Sequence, residues 1–72
     1  MNYCEWADEY LCDARRVRNV IEKKKALLND KNLTADDRKS LSDSINAYRK
    51  IYRELLKTAE HLRQRGENHR EA

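Results

Sequence analysis

The sequence predicts an all-α fold: an antiparallel two-helix hairpin, coiled-coil-like, that dimerises into a four-helix bundle. Three observations carry this expectation. Leu41, Ile45, Tyr48, Tyr52, Leu55, Ala59 and Leu62 follow one another at alternating steps of four and three. Tyr3, Ala7, Tyr10, Ala14, Val17, Ile21 and Leu28 repeat the alternation upstream, broken only where Lys24 takes a seam position. Between the two stripes lies one polar turn, and the chain contains no proline. Apolar residues recurring every ~3.5 residues stay on one side of an α-helix, and such a stripe demands a matching partner. Here the partner is in the same chain.

Helix 1 is expected over residues 3–29. Its first turns are acidic (Glu5, Asp8, Glu9, Asp13) and its last are basic (Lys23, Lys24, Lys25), which complements the helix dipole. The turn, residues 30–34, is rich in Asn and Asp, which tolerate the left-handed conformation that closes helices. Thr34 reads as an N-cap, and Thr34 with Asp37 makes a capping-box variant. Helix 2 then runs over residues 35–65 and stops at Gly66, the single glycine, where a C-cap glycine belongs. The hairpin domain is thus residues 1–66, and residues 67–72 form a frayed polar tail. A five-residue turn sets position i roughly opposite position 65 minus i. That register brings Ala14 to Tyr52, Val17 to Tyr48, Ala7 to Ala59 and Ile21 to Ile45, and both Tyr3 and Trp6 to Leu62.

A chain of 72 residues buries only about 60% of the surface its unfolded form exposes. Cores this small rarely supply more than ~3–5 kcal/mol without a staple or a partner. Trp6, Val20 and Leu27 on helix 1, with Ile51 and Leu56 on helix 2, widen the apolar sectors beyond what one hairpin needs. These five are the expected self-association residues of a homodimer.

Sixteen Lys and Arg against thirteen Asp and Glu leave a formal charge of +3, mild for a dedicated nucleic-acid binder. No apolar run reaches the ~18–20 residues of a membrane span, and no signal-peptide pattern opens the chain. The expected location is the cytoplasm, and no membrane partner is expected. Cys4 and Cys12 are eight residues apart, about 12 Å along a helix at 1.5 Å per residue. A disulfide needs Cα atoms within about 7 Å, so these two are not expected to pair.

The residues offer little to chemistry. Cys4 and His61 can approach across the hairpin, and Cys12 and His69 complete a metal-ligand inventory, but no pair has the tight spacing of zinc sites. The acidic group at the start of helix 1 lacks the Glu-x-x-His element of di-metal bundles. No phosphate loop or nucleophile elbow is present. No catalytic residue, cofactor or metal is expected. The basic residues carry more. Arg15 and Arg18 on helix 1 and Arg49 and Arg53 on helix 2 meet at mid-hairpin, a positive patch suited to an acidic protein surface or to phosphates.

From Glu5-Trp6-Ala7-Asp8-Glu9-Tyr10-Leu11 to Thr58-Ala59-Glu60-His61-Leu62-Arg63-Gln64-Arg65-Gly66, the whole-chain pattern resembles small helical-hairpin proteins encoded by bacteriophages and integrated elements. These include accessory proteins that bind and inhibit host machinery, defence systems among them. The resemblance implies a non-catalytic module that docks on another protein. The competing expectation is a small basic nucleic-acid-binding or transcriptional accessory protein.

Overall fold

In a computed structural model, which describes the backbone of residues 2–71 and the side chains of residues 2–67, the chain is a two-helix hairpin. Helix α1 spans Tyr3–Leu27 and α2 spans Ala35–Glu71, with no strand among the described residues. The molecule measures 58 × 14 × 14 Å on its Cα atoms, close to the length of α2 itself at 1.5 Å per residue.

Local chemistry sets the ends. The Asn2 side chain accepts a hydrogen bond from the Glu5 backbone N–H at 2.8 Å, capping α1. The capping box of α2 forms in full: the Asp37 N–H donates to Thr34 Oγ1 at 3.1 Å, and the Thr34 N–H donates to Asp37 Oδ2 at 3.4 Å. The turn differs from expectation. α1 ends two residues early, at Leu27, and no described residue adopts a positive φ. Leu28 stays right-handed at φ −64° and ψ −19°. The last carbonyls of α1 are met by short-range backbone bonds from Leu28, Asn29 and Asp30. Arg38 completes the turn from the far side. Its Nη1 donates to the Leu28 carbonyl and its Nη2 to the Asp30 carbonyl, both at 3.1 Å. A planar guanidinium with a forked pair of donors suits two neighbouring carbonyls just past the negative end of a helix, here that of Leu28 and that of Asp30, which also accepts from the Leu33 N–H at 3.4 Å.

The seam is the expected one. Ala7, Ala14 and Ile21 of α1 and Ile45, Ala59 and Leu62 of α2 are buried, while Tyr3, Tyr10, Val17, Leu28, Leu41, Tyr48, Tyr52 and Leu55 are half-buried. A single 3.5-residue period covers the whole overlap, which implies gentle left-handed winding. Lys24 keeps its seam position by laying its Nζ 5.5 Å from the centroid of the Tyr48 ring. Helical side chains lean toward their own N-terminus, so in an antiparallel pair these two lean toward each other.

Gly66 does not end α2. The helix passes through it to Glu71, so residues 67–71 continue the helix rather than forming a separate tail. Four residues beyond Leu62, Gly66 takes the next seam step, and its role is close approach. A β-carbon built there would lie 3.1 Å from Cys4 Sγ and 3.4 Å from Tyr3 Cβ. The register is accordingly one turn further along α2 than expected: residue 66 stands against residues 3 and 4, where the short turn predicted 62 and 61. Tyr3 still packs against the cluster of Ala7, Ala59 and Leu62, so it sits between Leu62 and Gly66. Trp6 stays outside that cluster, 45% exposed. Continued at the same step, this register sets Ala7 level with Leu62, Tyr10 with Ala59, Ala14 with Leu55, Val17 with Tyr52 and Ile21 with Tyr48. Small residues face large ones in the open half, as interdigitated packing requires.

Candidate interaction surface

Two helices joined by one seam make a ribbon with two broad faces. In an antiparallel pair, the positions flanking the seam on one side of α1 lie beside the equivalent positions of α2. This decides which side chains can act together.

One face carries Arg15, Arg18, Arg49 and Arg53, all exposed. The observed register sets Arg18 nearly level with Arg49, beside the seam, and Arg15 nearly level with Arg53, further out. Four guanidinium groups thus occupy about one helical turn of the ribbon. None is within 4.0 Å of a carboxylate among the described residues. The ion pairs that do form there are elsewhere and local: Arg16 with Asp13 at 3.8 Å and Lys25 with Glu22 at 3.7 Å, each spaced i, i+3 and open to solvent. Such pairs contribute roughly 0–1 kcal/mol. The arginine group is left uncompensated. One heptad toward the open end of the same face lie Leu11, half-buried against the core cluster, and Leu56, 36% exposed.

The other face carries Trp6, Val20, Leu27 and Ile51. Trp6 and Ile51 are each 45% exposed, Leu27 is 55% exposed and Val20 is half-buried. The five residues expected to form one self-association surface therefore do not share a face. Leu56 lies on the arginine side because it flanks the opposite edge of the seam from Ile51.

The thiols and imidazoles do not assemble. Cys4 is half-buried against Gly66 and Cys12 is exposed, both free. His61 is exposed and flanks the outer side of the Trp6 face, across the ribbon from Cys4, so the expected approach of these two does not occur. The side chain of His69 lies outside the described residues. No group of three or more His, Cys, Asp or Glu among the described residues is placed to hold a metal ion. No described helix is long and apolar enough to cross a membrane. Compared with protein-family models, with curated proteins and with solved structures, the chain matches none.

Proposed function

We propose that the protein is a non-catalytic interaction module of the cytoplasm that docks on another protein through its arginine face. As a homodimer of phage type, it would bind and inhibit a host protein, a defence component being the class that the family resemblance suggests. The observation that carries this reading is the group Arg15, Arg18, Arg49 and Arg53, level with one another and unneutralised, beside the apolar pair Leu11 and Leu56. A desolvated apolar anchor beside charges that find partners only in the complex is how interface hot spots are built. The partner surface that fits is acidic, with an apolar pocket about one heptad from the acidic centre.

The test is capture from a nuclease-treated bacterial lysate with the wild-type hairpin and with an Arg15→Glu, Arg18→Glu, Arg49→Glu, Arg53→Glu variant. Exposed substitutions usually change stability by no more than about 0.5 kcal/mol each, so the variant is expected to stay helical. Losing one member of a desolvated charge contact costs ~2–5 kcal/mol, so the captured protein should disappear. Equal capture by the variant overturns the reading. Capture that depends on nucleic acid, lost after nuclease treatment, supports the alternative of a small basic nucleic-acid-binding accessory.

A further inference from the structure

Trp6, Leu27 and Ile51 expose large apolar surfaces on the face that the arginines do not use. We propose that this face binds a second copy about a two-fold axis parallel to the hairpin, so that α1 of each copy lies along α2 of the other. The proposal rests on the homodimer named above and assigns its surface and symmetry.

The charge pattern selects this arrangement. An axis along the ribbon preserves height, so each residue of α1 meets the residue of the second copy that is level with it in its own hairpin. Val20 then lies over the partner's Ile51, and Trp6 lies over the aliphatic stem and guanidinium of the partner's Arg65. On the outer rows, Arg16 meets the partner's Glu54 and Glu9 meets the partner's His61, while Lys23 lies over the partner's Ala47. No like charges are opposed. Within one hairpin, Glu9 and Glu54 make no ion pair among the described residues.

An axis across the ribbon places α1 on α1 and does worse in the registers that set its large apolar residues against one another. Setting Trp6 opposite Leu27 brings Arg16 against itself, and setting Trp6 opposite Val20 brings Asp13 against itself. Opposing Val20 to itself lays Asp13 on Leu27 and carries Trp6 past the end of the facing α1. The arginine faces then point outward on opposite sides of the bundle, leaving both available.

Sedimentation equilibrium at tens of micromolar should report about twice the 8.6 kDa of one chain. A monomer at that concentration refutes the dimer itself. Ile51→Lys should be monomeric and Leu56→Lys dimeric, both helical by circular dichroism, and the reverse pattern overturns the choice of face. The symmetry is read by charge exchange. Arg16→Glu and Glu54→Arg should each weaken self-association roughly three- to tenfold, because the mismatched contact occurs twice. Mixed together, the two variants restore both contacts, so native mass spectrometry should find heterodimer well above the statistical half. A statistical mixture from a dimeric wild type overturns the parallel axis and leaves the dimer standing.

Discussion

Gly66→Ala separates two effects that usually travel together. Alanine gains about 1 kcal/mol over glycine inside a helix. At this seam, however, the new methyl would sit 3.1 Å from Cys4 Sγ and 3.4 Å from Tyr3 Cβ. Contact that close to a half-buried sulfur falls in the overpacking range of ~1–3 kcal/mol, kept to its lower end because the thiol can rotate. In the wild-type background the terms nearly cancel, leaving the variant equal to or about 1 kcal/mol less stable than the parent. Removing the sulfur changes the sign. In a Cys4→Ala background the 3.1 Å contact is gone and the nearest remaining one is the ordinary 3.4 Å approach to Tyr3 Cβ. The same substitution should then stabilise by about 0.5–1 kcal/mol, so the two sites couple by roughly 1 kcal/mol. Urea unfolding followed by circular dichroism measures all four corners of the cycle. In a domain this size 1 kcal/mol also moves Tm by about 4–8 °C. Additive behaviour, or destabilisation in the Cys4→Ala background, would refute the close approach and restore Gly66 to a helix-ending role.

Two further outcomes follow from the seam and the turn. Arg38→Ala should cost about 1 kcal/mol by abandoning the Leu28 and Asp30 carbonyls, and Arg38→Lys should recover at most half, since an ammonium cannot fork across both; equal stability of all three in thermal melts would mean that water serves those carbonyls as well. Tyr52→Ala, at a half-buried seam position, should remove ~3 kcal/mol and leave the chain largely unfolded by circular dichroism; full helicity with an unchanged melt would displace the seam.

Periodicity made the seam legible because burial in a helix pair repeats every 3.5 residues, and Leu41 through Leu62 announce that period without a break. Thr34 and Asp37 announced the start of α2 for a similar reason: a capping box is a local pattern whose partners are three residues apart. Gly66 was ambiguous. A glycine that ends a helix and one that admits a neighbouring backbone are the same letter, and only its place four residues after Leu62 favours the second. Arg38 had no local signal at all, since its value depends on where the turn delivers the Leu28 and Asp30 carbonyls. The four arginines were identifiable as a mid-hairpin group. That Leu56 sides with them and Ile51 against them follows from heptad position, a distinction that exposed apolar character alone does not draw.

The Arg38 clasp also bears on the order in which the hairpin assembles. It joins residues only eight to ten apart, whereas Tyr3 and Gly66 at the open end are separated by nearly the whole chain. Loop-closure entropy grows with the logarithm of length, so meeting first at the open end costs about 1.5 kcal/mol more than meeting first at the turn. The shortest loop is also the one furnished with a capping box and two guanidinium bonds. Zippering should start there and run outward, each seam layer shortening the search for the next. The narrow contact at Gly66 then closes last and, in local opening, parts first. A ribbon held this way frays from one end only, and Trp6, close to that end, is the natural reporter of its breathing.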